Sequence, residues 1–123
     1  MNFPEELFTC KPSTVWEHSG ILCGTVPNPF GSMNGYCVLP ADHPLGSLDL
    51  QFKDCEKLDV HGGITFGPKS SDDGRLVIGW DTAHWGDYAP HAPFGRRWTE
   101  QEVIEETNRL AIQVAHYAKE GAA

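Results

Sequence analysis

Thr99-Glu100-Gln101-Glu102-Val103-Ile104-Glu105-Glu106, continuing through Thr107-Asn108-Arg109-Leu110-Ala111-Ile112-Gln113-Val114-Ala115-His116-Tyr117-Ala118-Lys119-Glu120, decides the fold, because it reads as helix throughout. Thr99 followed three residues later by Glu102 is a capping box, in which each side chain serves the other's backbone N–H. Glu100, Glu102, Glu105 and Glu106 suit the positive start of a helix dipole. Val103, Leu110, Val114 and Tyr117 recur at helical spacing with Ile104, Ala111 and Ala118 beside them, so one face packs while the other, including His116, meets water. Lys119 and Gly121 mark the end. The predicted helix spans 99–120, and its apolar stripe requires a surface to cover.

The preceding residues supply one. Thr14-Val15-Trp16-Glu17-His18 and Ile21-Leu22-Cys23-Gly24-Thr25-Val26, around Ser19-Gly20, read as two short strands joined by a tight turn. Pro27-Asn28-Pro29 ends the second. Tyr36-Cys37-Val38-Leu39 is a third strand stopped by Pro40, and the prolines of 41–46 make that stretch irregular. Ile64-Thr65-Phe66 and Leu76-Val77-Ile78-Gly79-Trp80 form a hairpin, with 67–74 as its turn. Residues 48–58 fit a short helix and an extended connection equally well. Short strands followed by one helix predict an α+β fold: a small antiparallel sheet of about five short strands packed against one C-terminal amphipathic helix. The expected organisation is a single domain over 1–123, with 1–12 as an arm, 14–98 as strands and long loops, and 99–120 as the helix.

Composition narrows the partners. A chain of 123 residues is long enough for one real core. Seventeen acidic residues against nine basic ones give a formal charge of −8, which repels phosphate backbones, so direct nucleic-acid binding is not expected. The one adjacent cationic pair, Arg96-Arg97, reads as a solvated pair or, alternatively, as a receiver of phosphate or carboxylate. An acidic surface of this kind can instead compete for a basic groove on another protein. Cys10, Cys23, Cys37 and Cys55 contain no Cys-x-x-Cys spacing and are expected as buried free thiols. The start has neither basic flank nor apolar core for export, and no run approaches ~18 apolar residues. A cytoplasmic, reducing setting without membrane contact is the expectation.

The chemistry-bearing residues gather between His61 and Asp87. Pairing Phe66 with Leu76 and Ile64 with Ile78 puts the apolar side chains of the hairpin on one face, and the same ladder brings His61 opposite Asp81 on the other. Gly62, Gly63 and Gly79 beside His61 and Asp81 suggest a bulge or a close approach by another backbone or a ligand. Beyond Asp81 come His84, Trp85 and Asp87, giving Asp-x-x-His-x-x-Asp. His61, Asp81, His84 and Asp87 together could hold a divalent metal that lowers the pKa of bound water. Alternatively, His84 serves as general base oriented by Asp81 or Asp87, with His61, Gly62, Gly63, Trp85 and Asp87 lining the ligand pocket. The plainer account is that Asp81 caps the turn after its strand and His61 bonds backbone. His43 either joins the pocket or decorates a loop. Trp80 reads as core, and Trp85, Tyr88, Phe94 and Trp98 form a stacking wall, a protein-binding patch, or packing for the helix.

Val60-His61-Gly62-Gly63-Ile64-Thr65-Phe66 and Gly79-Trp80-Asp81-Thr82-Ala83-His84 resemble the Val-His-Gly-Gly-(Leu/Ile)-Thr-(Tyr/Phe) and Gly-Phe-Asp-x-x-His segments of a group of small bacteriophage and prophage proteins. Trp80 stands where that group carries Phe. The resemblance covers mainly residues 36–88, implies a mobile-element accessory role, and draws attention to His61, Asp81 and His84 without supplying a mechanism.

Two functional expectations follow. In the first, a polar His/Asp pocket binds a small ligand or metal and performs hydrolysis. In the second, a non-catalytic inhibitor or binding module occupies a host protein through its acidic surface and loop aromatics. A homodimer with the aromatic loop as its interface is a further arrangement consistent with the sequence.

Overall fold

The computed structural model describes residues 2–29, 31–83 and 97–121. Five strands, β1 (Thr14–His18), β2 (Ile21–Pro27), β3 (Met33–Leu39), β4 (Phe66–Ser70) and β5 (Leu76–Trp80), form one antiparallel sheet in the order β1-β2-β3-β5-β4. The helix α1 (Glu100–Gly121) packs across it. The expected α+β architecture is therefore present, a five-stranded open sheet under one C-terminal helix.

Strand alternation sorts the core into two layers. Cys23, Cys37, Leu39, Ile78 and Trp80 face α1 and meet Val103, Leu110, Ala111 and Val114. Val26, Tyr36, Val38 and Val77 face the other way, where the N-terminal arm covers them with Phe3, Leu7 and Phe8. The arm is laid over the domain because the sheet is apolar on both faces and only one helix is available to cover them.

Both ends of α1 are tied to the rest of the fold. Thr99 and Glu102 close the predicted capping box, with the Thr99 amide donating to Glu102 Oε1 at 3.0 Å and the Glu102 amide to Thr99 Oγ1 at 3.1 Å. The Glu100 carboxylate accepts from the hydroxyls of Ser13, Thr14 and Thr25, clasping the helix start to β1 and β2. Further along, His43 Nε2 donates to the Val114 carbonyl at 2.9 Å, while its Nδ1 accepts from the Leu45 amide at 3.1 Å. His43 is buried and structural, and it caps the 3-10 turn Pro44–Ser47. Residues 48–58 resolve into turns and a 3-10 turn at Cys55–Lys57. Cys23 and Cys37 are buried free thiols, whereas Cys55 is exposed and Cys10 half-buried, contrary to the expectation for those two.

The hairpin register differs from the predicted one. Phe66 pairs with Gly79, and Lys69 and Ser70 pair with Val77 and Leu76, with a bulge between Phe66 and Lys69. Gly67 and Pro68 therefore lie inside an edge strand and not in the turn. Proline has no N–H for a ladder and is tolerated at an edge-strand bulge. Gly67 has a φ of +76°, and a Cβ there would strike the Val77 carbonyl. The turn proper is Ser71-Asp72-Asp73-Gly74, closed by the Ser71 amide donating to the Arg75 carbonyl at 2.8 Å. Its composition misleads because turn-forming residues run continuously from Gly67 to Gly74, while only the second half turns.

Candidate functional site

Asp81 and His61 each have defined neighbours. Asp81 follows Trp80, whose ring lies in the helix-side core, and its own charge is felt by the Tyr36 phenol on the arm side. Burial pushes the Tyr36 hydroxyl up, the Asn34 amide draws it down, and Asp81 adds to the rise. Asp81 Oδ1 accepts from the Ala83 amide at 2.9 Å, the turn-capping role open to any Asp at a strand end. The His61 ring centroid is 6.1 Å from that of Trp80 and 4.7 Å from that of Trp98.

The segment carrying His61 is bolted to α1. The His61 amide donates to Glu106 Oε2 at 2.8 Å. Arg109 donates from Nε and Nη2 to both Glu106 oxygens and from Nη1 to Asp59 Oδ2 at 3.0 Å. Gln113 accepts from the Asp59 amide and donates to the Asp59 carbonyl, each at 2.8 Å, and the Tyr117 hydroxyl donates to the Lys57 carbonyl. Arg109 holds the Glu106 carboxyl below its ordinary range against the opposing effect of burial, and the His61 amide lowers it further. Asp59 itself is 85% exposed, so its ion pair contributes little beyond orientation.

Gly62 and Gly63 serve the backbone. Both have positive φ, +69° and +80°, and the Gly63 amide closes a turn onto the Val60 carbonyl at 2.9 Å. The turn aims His61 back over Trp80, whose Nε1 donates to Thr107 Oγ1 at 3.0 Å and whose ring sits 5.2 Å from Trp98 in an edge arrangement. Thr107 in turn donates to the Val103 carbonyl. Trp80 is 1% exposed, but His61 and Trp98 are half-buried, so the cluster grades from core to surface.

His84, Trp85 and Asp87, with Tyr88, Phe94 and Arg96, lie outside the described residues. Among the described residues no group of three or more His, Cys, Asp or Glu side chains is placed to hold a metal ion. Nothing in the sequence marks Glu106, Arg109, Asp59 or Thr107 as neighbours of His61 or Trp80. Glu106 and Arg109 are three apart on one helix face, a legible pair, but nothing local links them to His61. Among the described residues no helix is long and apolar enough to cross a membrane. No family model matches the chain, and neither a curated protein nor a solved structure does.

Chemically, the arrangement offers two aromatic faces and an imidazole beside the Glu106 carboxylate, with Arg109 and Asp59 bonded to one another next to it. Half-buried tryptophan with neighbouring carboxylates suits a cationic or apolar side chain, which stacks on the ring while its charge is balanced at the edge.

Proposed function

We propose that this chain is a non-catalytic binding module, a mobile-element accessory protein that occupies a basic surface of a host protein. The observation that carries the reading is the half-buried Trp98, in ring contact with both His61 and Trp80 and bordered by the acidic first turns of α1. Rigid aromatic anchors surrounded by charge are the composition of interface hot spots. The formal charge of −8 supports the same reading, since it accelerates encounter with a basic partner.

Capture from bacterial lysate on immobilised wild type and on Trp98→Ala tests the proposal. The expected result is one stoichiometric basic partner held by the wild type, released by salt, and lost by the variant. Absence of such a partner, or equal capture by both proteins, would sink it. A parallel thermal scan with Zn²⁺, Mn²⁺, Mg²⁺ and Ca²⁺ separates the pocket reading, which requires a metal-dependent rise in Tm that His61→Ala removes.

A further inference from the structure

The sheet has two outer edges, and they are built differently. The β4 edge is blunted: Pro68 brings no N–H, the bulge between Phe66 and Lys69 breaks the ladder, and the Gln51 side-chain amide donates to the Gly67 carbonyl at 2.8 Å. The β1 edge, Thr14-Val15-Trp16-Glu17-His18, has no proline, lysine or bulge and pairs with β2 residue for residue. Natural sheets rarely leave so flat an edge bare.

The turn after β1 fixes which backbone groups face outward. Ser19 and Gly20 have φ of +53° and +77°, a two-residue hairpin turn whose flanking residues, His18 and Ile21, exchange both backbone bonds. Alternation then points the backbone groups of His18 and Trp16 at β2 and those of Val15 and Glu17 away from it, where they meet no partner among the described residues.

Both flanks of this edge carry apolar surface. Val15, opposite Gly24 on the arm side, is 43% exposed. On the helix side Trp16 Nε1 donates to Asn108 Oδ1 at 2.6 Å, which sets the half-buried ring beside α1, and Ile112, one turn on from Asn108, is 53% exposed. Val15 and Ile112 are two of the three exposed large apolar residues among those described, and both border β1.

We propose that β1 pairs antiparallel with β1 of a second copy of this chain, about a two-fold axis at Trp16. In that register Val15 stands opposite the partner's Glu17 and Glu17 opposite the partner's Val15, and each pair exchanges both backbone bonds, so the outward groups of one copy satisfy those of the other. Trp16 stands opposite the partner's Trp16 at a position without backbone bonds, where side chains approach closest. The two rings fill the trough between the two helices, with Ile112 on its walls. Thr14 meets the partner's His18, so no residue stands directly opposite a like charge. A second copy brings its own Trp16 and Ile112 to cover these, and because the β4 edge is blunted the sheet closes at two chains instead of extending. The pairing does not depend on the partner surface at Trp98.

Sedimentation equilibrium of the full chain from about 1 to about 500 µM, with amide hydrogen exchange of the ¹⁵N-labelled protein at both ends of that range, tests the inference. The mass is expected to rise from 13.6 kDa to twice that value, with the Val15 and Glu17 amides protected only at the high concentration and the Trp16 amide at both. Salt should tighten the pair, because it screens the −8 charge of each chain, whereas it releases a basic partner from Trp98. Val15→Pro removes only an outward N–H, and Val15→Glu sets a carboxylate opposite the partner's Glu17. Each variant, checked for unchanged circular dichroism, should weaken association by about ten-fold or more, and if Val15→Pro unfolds, Val15→Glu at its exposed position carries the test. A monomer at every concentration, a dimer that a folded variant keeps, or Val15 and Glu17 amides whose exchange ignores concentration would overturn it.

Discussion

The ring of His61 lies 4.7 Å, centroid to centroid, from that of Trp98, across a chain distance of 37 residues. The contact joins the segment after residue 57 to the residues that lead into α1, and it leaves both rings half exposed. Trp98→Ala is therefore expected to keep the fold, with unchanged far-ultraviolet circular dichroism, while lowering urea stability by about 1–2 kcal/mol. That is roughly half the value of a fully buried large side chain.

Thr107 sits where the helix could have carried another aliphatic residue. Its hydroxyl accepts from Trp80 Nε1 at 3.0 Å and donates to the Val103 carbonyl at 2.7 Å. Thr107→Val keeps the shape but orphans the indole N–H inside the core, for an expected loss of about 1–3 kcal/mol by denaturant titration. Trp80→Phe on that background should cost less than it does in the wild type, since it removes the orphan donor.

The arm is structural. Phe3 is buried against β2, in a space where a Cβ on Gly24 would strike its ring, and Phe8 stacks between Phe3 and Phe66. Phe3→Ala should destabilise the protein by about 3–5 kcal/mol, as other buried Phe truncations do. Protection of the Val38 and Val77 amides from hydrogen exchange should fall before that of Leu110 and Val114.

Acid should loosen the helix attachments first. Glu106 and Glu100 both have carboxyl pKa values below the ordinary range, Glu106 chiefly through Arg109 and Glu100 chiefly through the Thr14 hydroxyl. A carboxyl whose folded value is depressed adds stability that is present above its unfolded pKa and is lost as pH falls through the folded one. Stability is therefore expected to decline below the usual carboxylate range. Glu100→Gln and Glu106→Gln should each lower stability at neutral pH and flatten that acid limb. An unchanged acid limb in both variants would contradict the assignment.

Much of this fold was legible. The capping box at Thr99 and the spacing of Val103, Leu110 and Val114 specify α1 locally, and Ser19-Gly20 specifies the β1–β2 turn, because each signal lies within a few residues. The β4–β5 register was not legible, since Gly67-Pro68 can begin a turn or form a bulge, and the choice depends on where Phe66 packs among Tyr36 and Phe8. Phe66 stands opposite Gly79, three residues from the predicted Leu76, and the His61 ring lies against Trp80 and Trp98. Glycines at 62 and 63 signalled a special backbone, correctly, but their positive φ closes a turn. The structural role of His43 was not legible because its partner, the Val114 carbonyl, lies 71 residues away.

The most direct test of the central claim is the amount of basic partner retained per mole of immobilised protein, measured for wild type, Trp98→Ala and His61→Ala, each verified as folded. A binding surface at Trp98 predicts near-equimolar retention by the wild type and about ten-fold or greater loss of affinity in Trp98→Ala. Equal retention by all three, or none by the wild type, would contradict it.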